Sequence, residues 1–237
     1  MLKNFFKKIL PNSFIKNLNS YCNFFFQKSY SQNGEDILIN SLLNYKKTGY
    51  YVDVGAFHPY RFSNTYLFYK KGWRGVNIDA MPGSMKLFNK KRPRDINIEQ
   101  SISDINQTLT YYMFNEPALN GFSNEISKLN SDKYGYEIIL RKKLKTKSLT
   151  SVLKGVIKKD QEIDFISIDT EGYDFNVLKS LDLQVYKPKI ILIEDLNSSC
   201  EKLHKNKIVR FLKKHNYILV SKVLHTLVFL KKQEKHD

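Results

Sequence analysis

Residues 50–80 have the sequence YYVDVGAFHPYRFSNTYLFYKKGWRGVNIDA, in which two short apolar runs end in the acids Asp53 and Asp79. Both runs are rich in β-branched and aromatic residues, as buried strands are, and the segment between them suits a helix. In an open parallel sheet, ligands lie outside the carboxyl ends of the strands. The two acids therefore indicate the edge of a sheet at which a ligand binds.

The turn after the first strand, Asp53-Val54-Gly55-Ala56, restricts the class of that ligand. A dinucleotide-binding turn has three glycines that let backbone N–H groups face a pyrophosphate, whereas this turn has one. Asp53 instead suits a cationic or zwitterionic ligand, and Asp79 stands where a carboxylate accepts hydrogen bonds from ribose hydroxyls. Either acid alone is equally compatible with a helix cap. Together they predict a ligand that contains a nucleoside.

The rest of the chain alternates between strand and helix patterns, which predicts a doubly wound α/β sheet of about seven strands. Strand patterns include INIEQSIS, IDFISID and KPKIILIED, and YILVSKVLHTLVFLKK predicts a C-terminal antiparallel hairpin. Residues 108–145 interrupt the alternation with one strand pattern, TLTYYMF, and a polar stretch. We expect them to form a lid or acceptor-binding excursion over the ligand edge, or a dimer surface.

Length and composition favour one globular domain over residues 30–237, preceded by a basic and aromatic segment over residues 1–29. Its apolar spacing, broken by Pro11, predicts two short helices that rest on a membrane surface or a partner, or pack against the domain. With 39 Lys and Arg against 23 acids, the net charge of +16 favours an anionic partner. The two cysteines form no CxxC motif and no apolar run has the length of a membrane span, so we expect a cytoplasmic protein.

Acids also end the strand patterns IDFISID and KPKIILIED, at Asp169 and Glu171 and at Glu194. Neighbouring parallel strands bring such ends together, and clustered carboxylates repel each other unless a cation or a proton joins them. Asp169, Glu171 and Glu194 are therefore a candidate site for Mg²⁺ or Mn²⁺, or for Fe²⁺ if an imidazole joins them, that acidifies an acceptor hydroxyl. Without a metal, Asp169 or Glu171 would be the catalytic base, and His58 is a further candidate. The structural alternative is that Glu171 caps a helix and Glu194 forms a salt bridge.

Several motifs resemble those of the FkbM family of S-adenosylmethionine (SAM)-dependent methyltransferases. In order over roughly residues 30–195, the motifs are Ser31-Gln32-Asn33-Gly34-Glu35-Asp36, Tyr51-Val52-Asp53-Val54-Gly55-Ala56, Ser63-Asn64-Thr65, Gly72-Trp73-Arg74-Gly75, Ile78-Asp79 and Ile168-Asp169-Thr170-Glu171-Gly172. The resemblance implies a class I, Rossmann-like methyltransferase fold, in which a C-terminal antiparallel hairpin is usual. It also implies O-methylation of a sugar or a sugar-bearing metabolite.

The resemblance further implies a set of SAM-binding residues. They are Asp53, Gly55 and Ala56 at the amino acid part of SAM, Asp79 at the ribose, Ser101 and Ile102 at the adenine, and Gln32 and Asn64 in matching motifs. This chain has Phe57-His58-Pro59 in place of a glycine-rich turn, so it departs from the family pattern after Ala56.

These features favour methyl transfer from SAM to a hydroxyl of a nucleotide-linked sugar or a surface-glycan precursor, as in polysaccharide biosynthesis. Arg61, Arg74 and Arg141 are candidates to hold acceptor phosphates. A nucleic-acid methyltransferase would fit the net charge. However, base N-methyltransferases usually have Asn/Asp-Pro-Pro-Tyr/Phe where this chain has Asp-Thr-Glu-Gly, so no nucleic-acid partner is expected. A SAM-fold binding module without activity is the other alternative, and a homo-oligomer is compatible with each.

Overall fold

A computed structural model describes residues 27–158, 160–196 and 198–232 of the chain. The helices predicted within residues 1–29 therefore lie almost entirely outside the described residues. Within the described part, no helix combines the length and the apolar character that are needed to cross a membrane.

Strands and helices alternate along most of the described chain, as the sequence pattern predicts. In chain order the strands are β1 (Tyr50–Val54), β2 (Arg74–Asp79), β3 (Ile96–Glu99), β4 (Ser101–Ile102), β5 (Thr108–Phe114), β6 (Ile138–Lys147), β7 (Phe165–Ile168), β8 (Ile190–Glu194), β9 (Tyr217–Val223) and β10 (Thr226–Lys231). The helices are α1 (Glu35–Leu42), α2 (Tyr66–Lys70), α3 (Met85–Lys91), α4 (Asn124–Tyr134), α5 (Leu149–Lys154), α6 (Asp174–Lys179) and α7 (Lys207–Lys214). Short 3₁₀ helices span Pro117–Leu119 and Cys200–Lys205.

In the part of the chain that the structure describes, seven strands form the main sheet in the order β3-β2-β1-β7-β8-β10-β9. The first five strands in this order are parallel, whereas β10 pairs antiparallel with both β8 and β9. The strand order reverses between β1 and β7, so their carboxyl ends flank the crevice in which such sheets bind ligands. The prediction of a doubly wound α/β sheet of about seven strands with a C-terminal antiparallel hairpin is confirmed.

Strands β1, β7 and β8 form the centre of the sheet and are almost entirely buried. Their sequences are nearly continuous apolar runs because helices cover both faces of a parallel sheet. On one face, the rings of Phe68, Trp73 and Phe165 pack with centroids 4.8 to 6.2 Å apart. Burial of one such side chain contributes about 1.5–3 kcal/mol to stability. Trp73 also donates its indole N–H to the Lys47 carbonyl oxygen, so it is a core residue.

A second, small sheet has the order β4-β6-β5, with β4 parallel and β5 antiparallel to β6. Helix α4 connects β5 to β6; the Ser123 hydroxyl accepts the Ile126 N–H at its start, and Gly135 ends it in the left-handed conformation. The excursion predicted over residues 108–145 is therefore a hairpin with an inserted helix. It lies against the carboxyl edge of the main sheet, because a Cβ on Gly172, in the loop after β7, would be 2.1 Å from the Ile126 side chain.

Candidate active site

A cavity of about 990 Å³, counted to its open mouth, lies at the carboxyl edge of β1, β2 and β7. The small sheet and the 3₁₀ helix Pro117–Leu119 form its other wall. The predicted site residues that line the cavity are Gln32, Asp53, Gly55, Ala56, Asn64, Asp79, Ile102, Asp169 and Glu171. The structure therefore brings together motifs that are far apart in the sequence.

The turn at the floor of the cavity depends on Gly55, whose φ of 82° lies in the left-handed region that favours glycine. The N–H groups of Gly55 and Ala56 both donate to the Ile78 carbonyl oxygen, which holds the turn against β2. A Cβ on Gly55 would lie 1.6 Å from the carbonyl oxygen of Asp169, just after β7. A residue with a side chain at this position would therefore force β1 and β7 apart.

Asp53 is 5% exposed, and one of its oxygens accepts a hydrogen bond from the Thr65 hydroxyl at 2.8 Å. The Thr65 oxygen in turn accepts a hydrogen bond from Nη1 of Arg92 at 3.0 Å. Burial raises the pKa of Asp53 to about 6, while the positive charge of Arg92 and the Thr65 hydrogen bond limit the rise. The second oxygen has no hydrogen bond from the described residues, so it is able to accept one from a ligand.

Asp79 ends β2, and its two oxygens accept the backbone N–H groups of Met81 at 2.7 Å and Phe57 at 3.0 Å. These bonds stabilise the charged form, but burial has the larger effect and raises the pKa of Asp79. Asn64 is also fixed in place, because its Nδ2 donates to the Ser167 hydroxyl at 3.0 Å. This side of the cavity therefore has polar groups that are oriented before a ligand arrives.

Three of the predicted residues, Ser101, His58 and Glu194, do not line the cavity. Side chains alternate along a strand, so Gln100 and Ile102 face the cavity while Ser101 is buried on the other side. The Nδ1 of His58 accepts the backbone N–H groups of Tyr60 and Arg61 at 3.3 and 3.0 Å, so the ring organises its own loop. Burial and the charge of Arg61 lower the pKa of His58.

Three carboxylates meet beside the cavity: Asp169 after β7, Asp174 at the start of α6 and Glu194 at the end of β8. One oxygen from each lies within 4.8 Å of those of the other two. The structure places Asp169 and Glu194 together as the sequence predicts, but Asp174 takes the position expected for Glu171. One carboxylate oxygen of Glu194 is buried and has no hydrogen-bond partner among the described residues.

Asp174 also organises the loop between β7 and α6. Its Oδ1 accepts the backbone N–H of Thr170 at 2.7 Å, and its Oδ2 accepts that of Gly172 at 3.0 Å. The loop is sharply turned, with φ angles of 51° at Glu171 and 90° at Gly172. An acid in the first turn of a helix is a common acceptor for such N–H groups, and this signal identifies Asp174 in the sequence.

The pKa values of Asp169, Glu171, Asp174 and Glu194 are all raised, first by burial and then, for all but Asp174, by the neighbouring carboxylates. The rise is largest at Glu194, which faces the charges of Asp169, Asp174 and Glu171. Asp169 is accessible to water in the open cavity. We therefore expect the neighbouring carboxylates, rather than burial, to contribute most to the rise in the pKa of Asp169. A bound cation would relieve this repulsion and keep the acids ionised.

The wall formed by the excursion contributes residues that the sequence analysis does not identify: Tyr111, Pro117, Ala118, Asn120 and Phe122. Tyr111 lies on the inner face of β5, and burial together with the charges of Asp79 and Glu171 raises the pKa of its hydroxyl. Asn120 accepts the Phe114 N–H at 2.7 Å, which fixes the loop. No motif marks these positions, because their role depends on how the excursion folds back over the main sheet.

A sheet of this order, with acids after its first two strands at a ligand cavity, defines a class I SAM-dependent methyltransferase fold. The methyltransferase FkbM domain matches residues 53–219, and the chain belongs to this family. The resemblance noted in the sequence is thereby confirmed. Family membership supports methyltransferase activity with SAM as the methyl donor.

No curated protein matches the sequence. Among solved structures, a methyltransferase from Geobacter sulfurreducens is 10% identical, with a TM-score of 0.43 over 98% of this chain and 96% of that chain. Precorrin-6y C5,15-methyltransferase from Geobacter metallireducens is 13% identical, with a TM-score of 0.43 over 89% and 95%. The 1,6-didemethyltoxoflavin-N1-methyltransferase of Burkholderia thailandensis, solved with S-adenosylhomocysteine (SAH), is 10% identical, with a TM-score of 0.43 over 97% and 90%. At these identities the likeness concerns the fold alone.

Proposed function

We propose that this protein transfers a methyl group from SAM to a hydroxyl of a sugar, in a nucleotide-linked sugar or a surface-glycan precursor. The observation that carries the proposal is the position of Asp169 and Glu171. Both line the cavity after β7, while Asp79 lines it after β2, with β1 between them. The cavity therefore has a cofactor side and a separate acidic side, as methyl transfer to a hydroxyl requires.

Methyl transfer is an in-line displacement. The hydroxyl oxygen forms a bond to the methyl carbon as the carbon–sulfur bond breaks, the electron pair of that bond stays on sulfur, and the hydroxyl proton passes to a base. A positioned base contributes about 10²–10⁴-fold to such a step. We assign this role to Glu171 because it lines the cavity after β7; its pKa is raised to about 9, so its ionised form takes up a proton readily. Asp169 is the alternative base.

The group formed by Asp169, Asp174 and Glu194 fits a divalent cation. Its ligands are all oxygen atoms, which favours Mg²⁺ or Mn²⁺ over Fe²⁺, and the unpartnered buried oxygen of Glu194 is available for coordination. A bound cation would hold these acids ionised and lower the pKa of a hydroxyl beside it. We propose Asp174 as the third ligand in place of Glu171, which leaves Glu171 free to take the proton.

The mouth of the cavity suits a sugar phosphate. Phe57 and Phe62 line it with φ angles of 49° and 55°, a strained conformation that is concentrated at functional sites. The guanidinium of Arg61 lies 5.5 and 4.6 Å from the centroids of these two rings, and it reaches Glu116 on the opposite wall at 3.4 Å. We propose that Arg61 binds the acceptor phosphate while the rings contact the sugar.

The other candidate phosphate ligands lie away from the cavity. Arg74 begins β2, at the opposite edge of the sheet, and Arg141 is exposed on β6. The observation that favours RNA as a second candidate acceptor is the net charge of +16.

The proposal is tested in two stages on the full, chelator-treated chain. SAH is first titrated calorimetrically with and without Mn²⁺, and we expect a dissociation constant on the order of 1 μM. Labelled SAM is then supplied with a mixture of nucleotide sugars or with single-stranded RNA. Label in the sugar fraction supports the proposal, whereas label in RNA alone contradicts it. Absence of SAH binding would favour the alternative of a binding module.

Matched variants separate the two sides of the cavity. Glu171→Gln should bind SAH as the wild type does and fail to label sugar. Glu125→Gln changes an exposed acid on α4 and should retain both properties.

A further inference from the structure

One face of the small sheet presents Tyr111 of β5 to the cavity, and the opposite face is exposed and rich in cations. Along β6 the side chains on this opposite face are Ile139, Arg141, Lys143 and Lys145, all of them exposed. Arg141 to Lys145 spans about 14 Å at the usual rise of a strand. We call the face formed by these four residues the basic face.

In the described part of the chain, no acid stands opposite the cations of the basic face on the neighbouring strand. The residues of β5 directly opposite its cations are Tyr112, Thr110 and Thr108, which are uncharged. None of the cations on this face forms a salt bridge within the described residues. The nearest acid in sequence is Glu137, which precedes the strand. The face therefore has a concentrated positive charge that an anionic partner would complement.

Exposed apolar residues adjoin the start of this face. Tyr134 is 57% exposed, Tyr136 is 38% exposed, Ile139 is 62% exposed and Leu140 is 51% exposed. An apolar and aromatic tip beside a row of cations is the combination by which proteins rest on anionic bilayers, since the tip enters the interface while the cations meet the lipid headgroups.

We propose that the basic face and its apolar tip dock on an anionic lipid bilayer. The proposal goes beyond the methyl-transfer function and does not depend on it. A second copy of the chain is disfavoured as the occupant, because two such faces would repel each other. RNA is less favoured than a bilayer, because the exposed aliphatic side chains of Ile139 and Leu140 can enter a lipid interface but offer no surface on which a base stacks.

Docking would have a functional consequence. Tyr111, on the inner face of the same sheet, lines the cavity, so the bilayer would lie close to the active site. An acceptor presented on the membrane surface would then be within reach of the methyl donor.

The test uses the full chain with vesicles of phosphatidylcholine alone, or with part of it replaced by phosphatidylglycerol. The wild type should sediment with the anionic vesicles alone, and less so at high salt.

Variants locate the contact on the basic face. At about 1 kcal/mol per basic residue, Lys143→Gln/Lys145→Gln should lower the partition coefficient roughly thirtyfold. The control Lys213→Gln/Lys214→Gln removes the same charge from the end of α7 and should change it less than about threefold. Ile139→Ser/Leu140→Ser should weaken the binding that persists at high salt.

Thermal unfolding and SAH affinity should be unchanged in all three variants, which separates loss of docking from loss of the fold. Equal weakening by the two Lys variants would overturn the proposal in favour of a net-charge effect. Unchanged vesicle binding in Lys143→Gln/Lys145→Gln would place the contact elsewhere in the chain, including residues 1–29. Loss of binding to a labelled single-stranded RNA in that variant, with vesicle binding intact, would identify the face as a nucleic-acid surface instead.

Discussion

Two polar clusters lie on either side of β1, one buried and one partly open to the cavity, and they differ in how their charges are compensated. In the first, which we call the paired cluster, Arg92 is fully buried and donates to Asp95 at 2.8 Å, to Tyr51 at 2.7 Å and to Thr65 at 3.0 Å. Asp95 also accepts hydrogen bonds from the Tyr51 hydroxyl and the Asn77 amide. Each charge in this cluster has an opposite charge or several hydrogen bonds.

The second cluster consists of Asp169, Glu171, Asp174 and Glu194, and we call it the acidic cluster. Among the described residues, no Lys, Arg or His forms a salt bridge with any of these acids. Their pKa values are raised first by burial and, except at Asp174, also by mutual repulsion. Charge is therefore arranged here in two ways: compensated charge holds β1, β2 and α3 together, and uncompensated acids gather beside the cavity, which is typical of functional sites.

The largest effect is expected from removing the cation of the paired cluster. Arg92→Met leaves Asp95 buried without its counter-charge, so the free energy of unfolding should fall by about 3–5 kcal/mol. Urea unfolding followed by circular dichroism measures it. The control Arg94→Met changes a neighbouring exposed residue and should stay within about 0.5 kcal/mol of the wild type. Equal effects of the two substitutions would show that the pairing of Arg92 with Asp95 contributes no particular stability.

In the acidic cluster, the corresponding change should affect turnover more than stability. Glu171→Gln keeps the shape of the side chain and removes the base, so kcat should fall by about 10²–10⁴-fold while SAH affinity is retained. Transfer of label from SAM to the acceptor, beside calorimetric SAH titration, gives both quantities. A parallel loss of SAH affinity would show that Glu171 contributes to cofactor binding rather than to proton transfer.

Asp79→Asn should weaken SAH binding by about 1.5–3 kcal/mol, or roughly ten- to hundredfold, because an amide cannot accept on both sides as the carboxylate does. Asp160→Asn, at an exposed acid, is the matched control. An unchanged dissociation constant for SAH in Asp79→Asn would show that Asp79 does not bind the ribose.

Asp53 lies between the clusters and should make SAH binding depend on pH. Its pKa of about 6 in the folded protein means that it is protonated below that pH, and the ammonium group of SAH favours the ionised form. Affinity should therefore rise by up to about tenfold per pH unit as the pH approaches 6 from below, and then level off. Asp53→Asn should bind more weakly and without this step. A pH step that persists in Asp53→Asn belongs to another group.

Glu194→Gln should give the smallest of these effects. It should raise the free energy of unfolding, whereas Arg92→Met should lower it. The raised pKa of Glu194 means that the folded state binds more protons than the unfolded state above pH 4.5, so this residue lowers stability as the pH rises. In chelator at neutral pH, its neutralisation should stabilise the protein by about 1 kcal/mol. The variant should also lose the rise in melting temperature that Mn²⁺ gives the wild type. A destabilised Glu194→Gln would show that the acidic cluster is structural after all.

Much of the site follows from sequence patterns, because parallel strands bring their carboxyl ends to one edge. Asp53, Asp79 and Asp169 each follow an apolar run, and this alone predicts that they meet. Gly55 is also identifiable, since a turn directly after a strand favours a glycine. Asp174 is less evident, because its contact with Glu194 depends on where α6 begins relative to β8.

The sequence by itself determined the α/β class, the antiparallel C-terminal hairpin and the family, since these depend on local periodicity and on short motifs. Only the tertiary structure decided that Arg92 compensates Asp95, that Tyr111 and Phe122 close the cavity and that Arg141, Lys143 and Lys145 of β6 share one outward face. These features arise from contacts between segments distant in sequence and from the register of one hairpin. A shift of that register by one residue would turn the same side chains to the opposite face.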